Sequence, residues 1–184
     1  GWAMFAYDDI YSIQYLERNL RPWWRRGGMG IGGLLQRSAV EFGDLHRKAV
    51  EYDQALTKRL IQAGGERYAS IAILAYRQAL AAHKLVVDLD GTPLYFSKEN
   101  SSNGCIATVD VTYPSAPLFL ALSPRLMRAM LQPVLDYSSL ERWKFPFAPH
   151  DLGQYPLANG QRYGGAEESA EGQMPVEESG NMLI

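Results

Sequence analysis

A chain of 184 residues with a formal net charge of −2 has room for one domain with a buried core and offers no electrostatic basis for binding nucleic acid. No apolar run approaches the roughly 20 residues needed to span a bilayer, and no basic-then-apolar leader opens the chain. Cys105 is the single cysteine, which excludes an intrachain disulfide; His46, His83 and His150 are too scattered for a zinc motif, and no metal or cofactor is expected.

The chain opens on GWAMFAYDD without an initiator methionine and stops on GNMLI, so both ends are expected to be cut from a longer protein. In residues 1–20, Ile10, Ile13, Leu16 and Leu20 fall at helical spacing and Tyr7, Tyr11 and Tyr15 form a second stripe, which predicts a helix with Asp8 and Asp9 as its cap. The GGMGIGG run that follows is a flexible connection and not a phosphate loop, since no Lys-Ser/Thr comes after it. Residues 34–62 predict an amphipathic helix, with Phe42, Leu45, Ala49, Tyr52, Leu56 and Leu60 on one stripe. Gly64-Gly65 ends it, and residues 66–84 predict a second helix, apolar nearly all round and therefore buried. Together they make a helical hairpin. LVVDLDGTPLYF (85–96) carries a strand–turn–strand signal around Asp90-Gly91.

Residues 97–117, SKENSSNGCIATVDVTYPSAP, predict a long irregular loop. Ile106, Val109, Val111 and Tyr113 are not a disordered composition, so the loop is expected to be ordered and functional. Helix returns over residues 115–137, restarting at Ser123-Pro124, with Pro133 expected to kink or end it. KFPFAPHDLGQYPLANGQRY (144–163) is a second irregular stretch with His150 and Asp151 near its centre. GGAEESAEGQ reads as an exposed insertion, and a last helix begins at Met174 with Glu177 and Glu178 in its first turn.

The chemistry on offer is carboxylate chemistry. Residues 1–84 carry 12 Lys/Arg against 8 Asp/Glu and residues 85–184 carry 6 against 12, so acidity gathers where the polar loops are. Glu99, Asp110, Asp151, Glu177 and Glu178 are the candidate acids and bases, with Lys98, His150 and Tyr113 beside them. Each also has a plainer reading: Glu99 as a loop brace, Asp110 as a partner for backbone donors, Asp151 as a metal or substrate ligand or a helix cap, Glu177 and Glu178 as first-turn helix residues. Asp88-Leu89-Asp90-Gly91 is explained by turn chemistry rather than calcium.

Five long segments carry a family resemblance: AYDDIYSIQYLERNLRPWW (6–24), LAYRQALAAHKL (74–85), FSKENSSNGCIATVDVTYPSAPLFL (96–120), PFAPHDLGQYPLANGQRYGG (146–165) and MPVEESGNMLI (174–184). They resemble the six-helical-hairpin domain of the glutaminase A family, extracellular proteins of fungi and bacteria named for an enzyme that hydrolyses L-glutamine to glutamate and ammonia. The resemblance covers essentially the whole chain as a single domain over residues 1–184. It implies a mainly α fold, part of an (α/α)6 toroid of six-hairpin glycosidase type, with the 85–96 hairpin as a small excursion. It also implies further N- and C-terminal domains in the same protein, an extracellular location, and a small-molecule substrate. Under this reading Glu99 or Asp151 activates water and Glu177 protonates the leaving ammonia. Asn100, Asn103 or Tyr113 polarises the carbonyl, and Asp110 and His150 complete the substrate contacts. A glycosidase acting on a sugar, or a non-catalytic binding piece, are the alternatives, since such a toroid hosts several chemistries.

Overall fold

The computed structural model describes residues 2–183. They form two compact units, one of residues 2–9 with Gly27–Ala81, the other of Ile10–Arg26 with residues 82–183.

The first unit is built on α1 (Ile31–Ala81). Gly65 interrupts it with φ 82 and ψ 178, a backbone conformation that only glycine adopts without strain. On either side of that break Arg77 meets Asp53 at 2.7 Å and the Tyr52 and Tyr76 rings lie 6.0 Å apart. These pairs straddle Gly65 symmetrically, so the chain folds back as the expected helical hairpin. The expectation that its second helix is buried fails. Ala69 is the one buried residue of α1, and Ile71 and Leu74 are exposed. Two helices share a single seam, and the remaining apolar faces stay open.

The second unit departs from the expected fold. Residues 1–20 are not a helix: β1 (Ile13–Tyr15) and β2 (Arg18–Pro22) pair antiparallel, with Tyr15 opposite Arg18. Leu16 and Glu17 make the two-residue turn with φ 46 and 64, the left-handed values such hairpins require. Ile13, Tyr15, Leu20 and Pro22 point inward at period two. The tyrosine stripe does not exist, since Tyr7 is 94% exposed and Tyr15 fully buried. β3 (His83–Val87) and β4 (Pro93–Ser97) form the hairpin expected at 85–96. It is not an excursion, however. β3 also pairs with β2, and β5 (Leu157–Ala158) joins β1 in parallel, giving a five-stranded mixed sheet in the order β4-β3-β2-β1-β5. The expected mainly α architecture, part of an (α/α)6 toroid, is therefore corrected: among the described residues helices accompany this sheet and no six-hairpin toroid forms.

α2 (Val109–Leu122) begins well before the expected Ser115, and the irregular stretch ends at Thr108. Pro114 and Pro117 lie inside α2 on exposed positions, where carbonyls left without a helical donor can be solvated. α3 (Pro124–Ser138) starts at Ser123-Pro124 as expected and runs through Pro133 without ending. It packs on β4, and α2 packs on α3 and on α4 (Pro175–Asn181). Tyr15, Phe96, Ile106, Val109, Tyr137 and Leu152 form the centre of the core between sheet and helices.

Candidate functional site

Two irregular stretches build the site by pairing with each other. Ile106 N–H donates to the Gly153 carbonyl and Leu152 N–H to the Ile106 carbonyl, each at 3.0 Å, and Tyr155 N–H to Gly104 at 3.1 Å. A Cβ on Gly153 (φ 138) would collide with the Leu157 carbonyl oxygen, so glycine is required at that bend. Three residues beyond Ile106, Val109 N–H donates to the His150 carbonyl at 2.8 Å. This bond sets the first turn of α2, and with it Asp110, against His150.

Asp151 is fully buried and saturated with donors. Its Oδ1 accepts from Gly153 N–H at 2.8 Å and Arg162 N–H at 2.9 Å. Its Oδ2 accepts from Tyr163 N–H at 3.1 Å and lies 2.9 Å from His150 Nδ1. The Tyr163 ring stacks on the imidazole at 4.1 Å, and Gln161 Oε1 accepts from His150 N–H at 2.7 Å. The imidazole is thus fixed on every side but one. Its free nitrogen, Nε2, faces Asp110 Oδ2 at 4.0 Å. Burial pulls the His150 pKa down, but the hydrogen bond and charge of Asp151, with Asp110 and Glu178 behind it, outweigh that and leave it raised.

Glu178 completes the group. It is 1% exposed, on the α4 face that also carries Met174 and Met182 at intervals of four. Its Oε2 accepts from Asn181 Nδ2 at 3.4 Å, and its Oε1 has no hydrogen-bond partner among the described residues. Burial, reinforced by Asp110 and opposed by His150, pushes its carboxyl up to about 7. Asp110 also has an unpartnered buried oxygen, Oδ1. One ligand atom from each of Asp110, His150 and Glu178 lies within 4.8 Å of the others. Cys105, His150 and Asp151 make a second such group, but burial and the nearby Asp151 and Glu99 push the thiol up to about 12, where it is a poor nucleophile and a poor ligand.

Of the residues singled out from sequence, Asp110, His150 and Asp151 come together. Glu99 accepts from Thr108 Oγ1 at 3.1 Å and from the Ser102 hydroxyl, and Asn103 Oδ1 accepts from Cys105 N–H at 2.8 Å; both brace the loop. Asn100, Tyr113 and Glu177 are exposed. Glu178, a candidate acid or base in the sequence but passed over for Glu177 as the proton donor, is the buried one. The signal for it was register, since Glu178 and not Glu177 shares a face with Met174 and Met182. A groove of about 690 Å³ lies alongside, lined by Arg142, Gln161, Arg162 and Glu167 among others. It shares Gly153, Gln161 and Arg162 with the loop that holds Asp151, but Asp110, His150 and Glu178 do not line it.

Residues 65–184 match the family model described as the glutaminase A six helical-hairpin domain. A protein named Glutaminase A from Aspergillus oryzae is 41% identical over 140 residues, which cover 73% of this chain and 19% of that protein. A protein from Arthroderma benhamiae, named "Probable glutaminase", is 33% identical over 166 residues, 90% of this chain and 19% of its own length. The chain therefore spans about a fifth of the length of these curated relatives. No solved structure matches it.

Proposed function

Because this chain belongs to the glutaminase A six helical-hairpin domain family, we propose that it supplies the proton-handling centre of an amide hydrolase that converts L-glutamine to glutamate and ammonia. The observation that carries this reading is the meeting of a fixed imidazole with two carboxylates, one of them buried with a pKa near neutrality. Hydrolysis of an amide needs a base to take a proton from water and an acid to give one to the leaving nitrogen. A carboxyl that titrates at about 7 holds both forms in useful amounts at neutral pH. In its ionised form Glu178 takes the proton as the water oxygen bonds to the amide carbon. His150, protonated at Nε2, gives its proton to the nitrogen as the C–N bond breaks and ammonia leaves. Transfer of the proton from Glu178 to His150 then restores both groups, with Asp110 holding the charged imidazole.

Asp151 has its lone pairs occupied by four donors, so its role in this scheme is to position His150. Tyr113, one helical turn beyond Asp110 on α2 and exposed, is the sequence candidate assigned here to the substrate carbonyl. Glu99, Asn100, Asn103 and Glu177 take no part in the proton transfers. An extracellular location for the intact protein follows from the family resemblance; no helix among the described residues is long and apolar enough to cross a membrane. The glycosidase alternative drew on a toroid and a carboxylate pair, and the described residues do not form the toroid.

The test is ammonia release from L-glutamine by the intact protein. Glu178→Gln is expected to lower it by at least about 100-fold, the lower end of what a positioned acid or base contributes. Cleavage of aryl glycosides with no ammonia from glutamine would overturn the reading.

A further inference from the structure

We propose that Asp110, His150 and Glu178 form a binding site for one divalent transition-metal cation of the zinc class. The inference uses the residues of the amide-hydrolase reading but does not depend on it, because occupancy is measured without turnover.

The first argument is the tautomer. With Nδ1–H donating to Asp151 Oδ2 at 2.9 Å, the neutral imidazole carries its lone pair on Nε2. That lone pair faces Asp110 Oδ2 at 4.0 Å, too far for a hydrogen bond but a spacing that admits an atom between them. A carboxylate that fixes the remote nitrogen of a histidine is the arrangement by which metal-binding imidazoles are oriented. Here the orienting carboxylate is itself held by three backbone N–H groups.

The second argument is unmet polar demand. Glu178 is 1% exposed and its Oε1 has no partner among the described residues, and the same holds for Asp110 Oδ1 as an atom. Buried carboxylate oxygens are costly unless paired or bound to a metal. A cation between the three groups would satisfy these oxygens and the imidazole lone pair together.

The third argument is geometric and chemical. Metal–ligand bonds of about 2 Å bring ligand atoms nearer to one another than the 4.0 Å that separates His150 Nε2 from Asp110 Oδ2, so the group must contract. Asp110, with a side chain 37% exposed, has the freedom to close that gap. One imidazole and two carboxylates suit zinc, manganese or ferrous iron and disfavour magnesium and calcium, which prefer all-oxygen shells. Three protein ligands leave a fourth position open. The competing group, Cys105 with His150 and Asp151, uses lone pairs that Asp151 has already committed and a thiol that resists ionisation.

Zinc and the catalytic proton would occupy the same lone pairs, so zinc binding should suppress the acid–base chemistry. The experiment is titration of the chelator-treated intact protein with zinc chloride near neutral pH, read by calorimetry and by thermal melting. The expected result is tight uptake by the wild type that E178Q and D110N each weaken by at least about tenfold, with D151N, a positioning change, weakening it by about 10–100-fold. C105S is expected to leave the affinity unchanged. Melting curves without zinc report whether each variant is folded, and E178Q, which keeps the shape of a protonated glutamate, anchors the comparison. Absence of uptake, equal uptake by wild type, E178Q and D110N, or loss of uptake in C105S would each overturn the site. Ammonia release measured in the chelator-treated protein is a separate readout: its persistence sustains the amide-hydrolase reading whatever zinc does, and its absence there leaves the zinc result intact.

Discussion

Glu177 and Glu178 are neighbours of the same chemistry, and one residue of register separates a solvated side chain from a buried one. On α4, position 178 falls between Met174 and Met182, so its carboxyl is carried inward, and burial pushes it up to about 7. That shift is also a statement about stability. Below its ordinary value of 4.5 the group is protonated in folded and unfolded chains alike. As pH rises from there to about 7, the unfolded chain releases the proton that the folded chain keeps, so the folded state loses stability through that window. The opposing effect of His150 is already contained in the value. A rise from 4.5 to about 7 corresponds to roughly 3 kcal/mol. E178Q is therefore expected to match the wild type in thermal melts near pH 4 and to be more stable by up to about that amount at pH 8. Equal melting temperatures at both pH values would show that Glu178 ionises freely in the folded protein. The sequence made the acidic pair legible but not the choice between its members, because in a helix of seven residues two methionines are a thin guide to the buried face.

Among the elements, the hairpins differ in how plainly the sequence announces them. Asp90-Gly91 marked the β3–β4 turn correctly because glycine at φ 91 is the residue such a turn asks for. Leu16-Glu17 makes the β1–β2 turn with two residues that ordinarily avoid positive φ, and Ile13, Leu16 and Leu20 mimic a helical stripe, so period two was hidden behind a false period of 3.6. The start of α2 was hidden for the opposite reason: Pro114 and Pro117 look like breakers, yet they sit where the helix can spare the donors. Gly65 was legible as the end of a helix, and its φ of 82 with ψ of 178 makes a further expectation. Gly65→Ala forces a side chain into a region that is essentially glycine-only, at a cost of about 1–3 kcal/mol. A melting temperature lowered accordingly, with loss of helical signal, is the expected outcome; an unchanged melt would mean that the hairpin turns elsewhere.

For the molecule as a whole, the sheet decides how the site is built. Its strands come from both sides of α1 in sequence, with β1 and β2 before the helical hairpin and β3 after it, and β5 lies just beyond the loop that carries His150 and Asp151. The ordered loop expected around Glu99 is present, but its work is to hold residues 104–107 against residues 152–155 so that Asp110 and His150 meet. The family was legible from long motifs, whereas the toroid that the family name suggests is not formed by the described residues, because identity is carried by local sequence and architecture by long-range strand pairing that local spacing does not encode. The most direct measurement is ammonia release from L-glutamine by the intact protein with Glu178→Gln and Glu177→Gln compared side by side. If Asp110, His150 and Glu178 are the reacting centre, the first change lowers release by about 100-fold or more and the second leaves it near the wild-type rate. Equal losses, or a loss confined to Glu177→Gln, would place the chemistry elsewhere.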